Sequence, residues 1–348
     1  MGSPARALDH PPRSPGLKVV RALEAGPWEA FVGRHPDASV FHTPAMAQVF
    51  AETERHTPAV WAATDDAGAV RALMTPVTVA TLGGPLRTLT SRTVSFAAPI
   101  AEPGDDEALR ALLSAYRAAG SRGSLFTEVR HHVVDPSVSA ALQAEGFARE
   151  AHLNFTIDLT RGEEALWGAV ASSARRNVQK ARRSGVAIEE TADPSAVADA
   201  YDVLRDVYHR IQVPLPDRSL FDASARILGP LGMFSMLLAR WEDRTIGVLC
   251  LLRHRGVVTY WYTGTLREHA TLRAGDLLAW HAIATEAAAG NRVFDFGGAG
   301  RPDEPYGVRD FKAKYGGDLI EPGRAIWTPS PLRYRASTAG YELVRRFL

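Results

Sequence analysis

Residues 294–317 read FDFGGAGRPDEPYGVRDFKAKYGG and crowd chemistry-bearing types into a short span. An apolar run ends in Asp295 and two glycines, a loop with two prolines follows, and then come Phe311–Lys312 and YGG. A strand end, a Gly-rich turn and a few basic residues can cradle a phosphate, present a catalytic group or turn a corner. Composition leaves all three open. A second concentration is Arg175, Arg176, Lys180, Arg182 and Arg183, the one dense basic cluster of the chain. The planar guanidinium binds two phosphate oxygens at once, so this cluster suits a nucleotide or an RNA acceptor stem. The same charges also suit a solvated helix face matched to the helix dipole. No aromatics interleave with them, so stacking on single-stranded bases is not indicated. A third candidate is LREHATLRAGDLLAW, where Arg267 and Arg273 precede a helix start whose free N–H groups attract anions. RAGD there fits either the pyrophosphate grip of acyl-CoA-dependent N-acyltransferases or an ordinary capped helix. Tyr260 and Tyr262 alternate about Trp261, which predicts that both face one side of a strand, in the core or in a cleft.

The elements that must hold these residues alternate between strand and helix patterns, which predicts an α/β (α+β) fold. The plan occurs twice. AVWAAT, DDAG and AVRALMTPVTVA read as strand, turn, strand; EALRALLSAYRAAG is an amphipathic helix stopped by Gly120, and SLFTEVR is the next strand. FSMLLAR, VLCLLRH and VVTYWYTG repeat the strands, AGDLLAWHAIATEAAAG repeats the helix with Gly290 as its stop, and RVFDFGG repeats the last strand. The expected divisions are a disordered lead-in at 1–17, a first domain at 18–150, a second at 151–330 and a C-terminal helix at 331–348. Two such halves make a cleft, where small ligands commonly sit. The span GEEALWGAVASSARRNVQKARRSG predicts one helix, broken near Ser172–Ser173, with Leu166, Val170, Ala174, Val178 and Ala181 as its apolar face.

With 348 residues, 46% of them hydrophobic, the chain can bury a sizeable core. Its formal charge of +1 does not mark a DNA-binding protein. One cysteine, Cys250, excludes an intrachain disulfide framework and a Cys-rich zinc site. His131–His132 have no carboxylate at metal spacing, so no metal is expected. No stretch approaches the roughly 18 apolar residues of a membrane span. MGSPARALDHPPRSPG carries no apolar run, and the resulting expectation is a cytoplasmic monomer.

SVFHTPAMAQVF, SSARRNVQKARRSGV, VYHRIQVPLP and the long run from YWYTGTLREHATLRAGD to DFKAKYGG together resemble the Fem family of peptidoglycan-bridge aminoacyltransferases. The resemblance spans about residues 38–328 in order and is strongest over 260–328. It implies two tandem domains of the N-acetyltransferase (GNAT) fold, each a mixed central sheet flanked by helices. The long coiled-coil arm of some members is missing, and PLPDRSLFDASARILGP stands in its place. The implied activity is transfer of an aminoacyl group from aminoacyl-tRNA to an amine of a peptidoglycan precursor or a small natural-product molecule. An acyl-CoA-dependent N-acyltransferase is the alternative, with acetyl-CoA or another acyl-CoA as donor. No cofactor is implied, since aminoacyl-tRNA is a co-substrate.

By the same resemblance Phe311 and Lys312 carry catalysis, with Lys312 holding the transition-state charge at the ester carbonyl. Arg210 of VYHRIQVP matches the arginine that binds substrate phosphate, and Tyr208, Tyr260 and Tyr262 are further candidates for binding substrate. Arg175, Arg176, Lys180, Arg182, Arg183 and Arg273 meet tRNA phosphates. Glu128 and Asp295 end comparable strands in the two halves, and each either accepts the amine proton or caps the turn that follows.

Overall fold

The computed structural model describes residues 16–80, 91–120 and 124–330. Most of the expected lead-in and all of the expected C-terminal helix lie outside these residues. The first half opens with β1 (Lys18–Val20), α1 (Ala25–Arg34) and α2 (Pro44–Ala51), the last capped by Thr43, whose Oγ1 accepts from the Met46 N–H. Next come β2 (His56–Pro58), β3 (Trp61–Thr64), β4 (Val70–Met74) and β5 (Pro76–Ala80). Then follow β6 (Ser91–Ser95), β7 (Ile100–Ala101), α3 (Asp106–Ala119), β8 (Thr127–Arg130), α4 (Pro136–Ala144) and β9 (Ala148–Glu150). Asp105 caps α3, and Gly120 at φ +67 ends it, as the sequence predicts.

The first half does not keep one central sheet. Only Thr75 separates β4 from β5, and its buried hydroxyl donates to the Phe41 carbonyl. At that point the strand passes from a four-stranded sheet (β1-β3-β4-β7) into a six-stranded one.

The second half holds β10 (Asn154–Asp158), α5 (Glu163–Ala169), α6 (Ser172–Arg183), β11 (Ala187–Thr191), α7 (Val197–Arg210) and α8 (Ser219–Ala223). It continues through β12 (Phe234–Trp241), β13 (Arg244–His254), β14 (Val257–Thr265), α9 (Ala274–Ala288) and β15 (Val293–Gly298). It ends with α10 (Gly307–Lys312), β16 (Asp318–Ile320) and β17 (Arg324–Trp327). The predicted basic helix breaks at Val170–Ala171, just before the serines: both residues are extended, and the Ala171 N–H donates to the Lys314 carbonyl. Where a coiled-coil arm would stand, α8 runs into a single π-helical turn at Ser224–Leu228. In each half a strand, a helix and a second strand form a parallel pair, β6 with β8 and β14 with β15.

One strand crosses from the second half to the first. β10 enters the second sheet between β15 and β16, and β17 enters the first between β8 and β9. All four pairings are antiparallel. A division at residue 150 therefore does not follow the sheets, because β17, read as part of the second half, completes the first.

Candidate active site

Parallel pairing of β14 with β15 lasts only from Val257↔Val293 to Thr259↔Asp295. Beyond it both strands bulge. In β14, Trp261 and Tyr262 stand opposite the single residue Cys250, and in β15 Phe296 is extra against β10. Gly297, at φ +76, turns β15 away. The strands splay, and a cleft of about 160 Å³ opens between Tyr260 and Gly297–Gly298. Its other wall is Phe41, Phe96 and Arg130–His132 of the first half, and Arg324 of the crossing strand closes one side. A larger outer lobe of about 340 Å³ shares His152 and Arg324 with it.

The bulge corrects one expectation. Tyr260 packs on Phe294 and Phe296 in the core beneath α9, whereas Tyr262 packs with Trp261, Phe221 and Tyr208 in the core beneath α7. One inserted residue reverses the period-2 alternation, so the two tyrosines do not share a face.

Lys312, the last residue of α10, is 6% exposed. Its Nζ donates to the Gly298 carbonyl at 2.8 Å and lies 5.7 Å and 5.9 Å from the ring centres of Phe296 and Tyr260. Burial disfavours the ammonium and pushes the pKa down to about 8, against the opposing pull of Asp295. Among the described residues Nζ has no second hydrogen-bond partner, so N–H groups remain for a ligand. Phe311 packs edge-on to Phe296 and against Tyr315, which shapes the wall behind the lysine.

Asp295 is buried and accepts three hydrogen bonds, from His132 Nδ1 at 2.7 Å, Asn154 Nδ2 at 2.8 Å and the Gly297 N–H at 2.9 Å. Burial alone would raise its pKa; His132 and the other donors outweigh that and hold it below the usual carboxylate value. The second ring nitrogen of His132 faces the Phe96 carbonyl at 2.7 Å. Both nitrogens thus meet acceptors, which only an imidazolium satisfies. Burial opposes that charge, but Asp295 and the Phe96 carbonyl raise the pKa on balance.

Glu128 takes the matching place in β8. Its Oε1 accepts from Arg130 Nε at 2.7 Å and forms an ion pair with Arg324 Nη1 at 3.0 Å, and these cations overcome burial to lower its pKa. Arg324 Nη2 donates to His152 Nε2 at 2.9 Å, which makes that nitrogen an acceptor and the ring neutral. Burial and then Arg324 push the His152 pKa down to about 4. Around the cleft stand four cations, Lys312, His132, Arg130 and Arg324, against two carboxylates, Asp295 and Glu128. The surplus favours an anion or a developing oxyanion.

Of the expected site residues Tyr260 lines the cleft, while Lys312, Asp295 and Glu128 stand behind its lining, bonded to Gly298, His132 and Arg130, and Phe311 packs behind Lys312. Arg210 is exposed at the end of α7, and Tyr208 stacks on Tyr262; none of the three lines the cleft. On α6, Ala174, Val178 and Ala181 are buried, while Arg176, Lys180, Arg182 and Arg183 are exposed. Arg175 instead turns back, its Nη1 donating to the Trp167 and Gly168 carbonyls at the end of α5. Arg273 is exposed in left-handed backbone, φ +61, ahead of α9. The first turn of α9 already holds the buried Asp276, bonded to Asn177 Nδ2 and Tyr315 Oη. Asn154, His152, Arg130 and Arg324 were not singled out by sequence, and His132, weighed there only as a metal ligand, instead bonds Asp295. Arg130 had a signal, two residues from Glu128 on the same strand face; the others join through long-range pairing. No three His, Cys, Asp or Glu among the described residues are grouped to hold a metal. No described helix is long and apolar enough to cross a membrane.

A family model described as an acetyltransferase (GNAT) domain matches residues 169–312. No curated protein matches the sequence. Among solved structures, FemX superposes with a TM-score of 0.70 at 14% identity, covering 92% of this chain and 99% of its own. The C-terminal domain of a putative lysylphosphatidylglycerol synthetase from Agrobacterium fabrum gives 0.57 at 15%, covering 92% and 96%. A tandem GNAT protein from the clavulanic acid biosynthesis pathway gives 0.56 at 14%, covering 90% and 99%. The chain has the tandem GNAT fold of these proteins, as the resemblance implied, and the match to the acetyltransferase (GNAT) model lies within its second half.

Proposed function

We propose that this protein is an aminoacyltransferase that takes the aminoacyl group of an aminoacyl-tRNA and joins it to an amine of a peptidoglycan precursor or a small molecule. The observation that carries the reading is Lys312: a buried cation with protons to spare, at the mouth of a splayed strand pair. An aminoacyl ester is already activated, so catalysis needs placement and a fixed positive charge for the oxyanion, without a covalent intermediate. The amine nitrogen bonds to the carbonyl carbon, and the carbonyl pair moves onto the oxygen facing Lys312. Collapse breaks the bond to the ribose oxygen, which leaves with the proton the nitrogen gives up.

The exposed cations Arg176, Lys180, Arg182 and Arg183 of α6 offer phosphate contacts for the tRNA, and Arg210 and Arg273 offer two more. The fold shared with FemX agrees with this use. An acyl-CoA donor is less well served, because the carboxylate of Asp276 sits in the first turn of α9, where the pyrophosphate would bind. The reaction calls for no cofactor, metal or DNA, and the enzyme works as a cytoplasmic monomer, where charged tRNA is at hand.

Donor choice is the test. Purified protein with a charged tRNA pool and a library of amines should form amide, and RNase treatment of that pool should abolish it. Turnover that survives RNase and follows acetyl-CoA would replace the tRNA reading with the acyl-CoA one.

A further inference from the structure

Two residues lining the cleft carry a buried polar atom without a partner, His131 Nδ1 and Asn154 Oδ1, and of these only Asn154 is bonded to Asp295. Asn154 is 4% exposed, lines the cleft and stands across from Gly298 in the sheet. Its amide has one orientation. Nδ2 donates to Asp295 Oδ1, and turning the amide over would set its oxygen against a carboxylate that only accepts. Asp295 is itself fixed by the His132 imidazolium and the Gly297 N–H. The Oδ1 so directed receives no hydrogen bond. A buried acceptor left empty costs free energy, and native proteins keep few without a use. Lys312 reaches the same Gly298 through its carbonyl. An empty acceptor and a cation with free N–H groups are therefore both anchored at one glycine.

Resting on the acyl-transfer reading, we propose that Asn154 determines the class of acceptor: its Oδ1 takes one N–H of the attacking amine while Lys312 meets the acyl oxygen. An amine attacks through its lone pair and keeps two protons, so one can be anchored without cost to the chemistry. A hydroxyl must give up its only proton as it attacks, and a carboxamide oxygen cannot take it. None of the groups bonded around Asn154 and Asp295 supplies a base instead, and His131, whose Nδ1 is also without a partner, is shared with a separate small pocket beside Ser139, Gln143 and Arg149. Both His132 nitrogens donate, His152 Nε2 is occupied by Arg324, and Glu128 lies between two guanidiniums. The cleft thus selects an amine over a hydroxyl of the same shape.

Glycinamide and glycolamide, which differ by that one group, are suitable probes, offered with either charged tRNA or acetyl-CoA. Wild type should acylate glycinamide far faster than glycolamide. Asn154→Leu should lower kcat/KM for glycinamide about 10- to 100-fold, the scale of one lost hydrogen bond in a buried site. Slow hydrolysis of the donor, and the KM for the donor, should stay as in wild type. Equal losses in glycinamide transfer and donor hydrolysis, or an undiminished glycinamide rate, would overturn the role of Asn154 and leave acyl transfer standing. Absence of turnover by wild type with both donors would overturn acyl transfer and Asn154 together. Should Asn154→Leu lose its cooperative melt, Asn154→Ser, shorter and compatible with the strand, is judged by the same two rates.

Discussion

Lys312 is where burial and function oppose each other. Its folded pKa of about 8 lies below the lysine reference, so the unfolded chain binds more protons between about pH 8 and pH 10.4. The ammonium therefore destabilises the fold at neutral pH, and that penalty fades as pH rises through the folded pKa. Lys312→Met should melt higher than wild type at pH 7, with the gap shrinking toward pH 10 by up to about 3 kcal/mol. A constant gap across that range would contradict the assignment of the shift to burial. Catalysis has the opposite sign, because only the cation stabilises the oxyanion. The alkaline limb of kcat should fall near pH 8 in wild type and vanish in Lys312→Arg, whose charge persists. Lys312→Ala should lower kcat and kcat/KM alike by about 10²–10³. This residue was legible because a short motif carries it. Asp295 was legible at its strand end, but its joining to His132 and Asn154 was not, since the three meet only through the fold.

At the scale of elements, the YGG that follows Lys312 holds α10 and β16 in place. Gly316 has φ +70, and a Cβ there would stand 2.6 Å from that of Ala169; one on Gly317 would stand 2.6 Å from the Thr156 carbonyl oxygen. Backbone cannot move aside as a flexible side chain can. Gly317→Ala should destabilise by about 2–3 kcal/mol in urea unfolding, and Gly316→Ala by a similar amount. Gly307→Ala is the control: nothing lies within 4 Å, it opens α10, and the change should be neutral or mildly stabilising. An unchanged urea midpoint for Gly317→Ala would mean that α10 and β16 are not braced there. Helices and their stops were legible because the signal is local, as at Gly120 and Gly290. The bulge in β14 was not. Strict alternation of Tyr260 and Tyr262 reads as a regular strand, and the residue that breaks it is defined only by its pairing with Cys250 in β13. The basic helix was legible as a pattern, but Arg175 is occupied by α5 because the chain kinks at Val170–Ala171. The salt response of tRNA-dependent turnover should therefore weaken in a variant reversing Arg176, Lys180 and Arg183, and stay nearly as steep in Arg175→Ala.

For the whole molecule, the crossing of β17 into the first sheet decides whether the halves can exist apart. The duplication was visible because each half repeats a local order of strands and helix. Which sheet a final strand joins is set by pairings more than a hundred residues apart, as with Ala325↔Val129, and no local pattern encodes it. A fragment ending at residue 150 would lack β17, leaving the facing edges of β8 and β9 without the strand that satisfies both. The complementary fragment would carry β17 with nothing to pair, and Arg324 would lose Glu128. Placing Arg324 in the cleft thus depends on the same crossing that joins the two sheets. Residues 1–150 and 151–348 should each be insoluble or unfolded alone, while the intact chain melts in one calorimetric transition that both halves share. Two resolved transitions, or a stable 1–150 fragment with protected amides in β8, would show the crossing strand to be dispensable. The cleft would then be held by contacts other than these pairings.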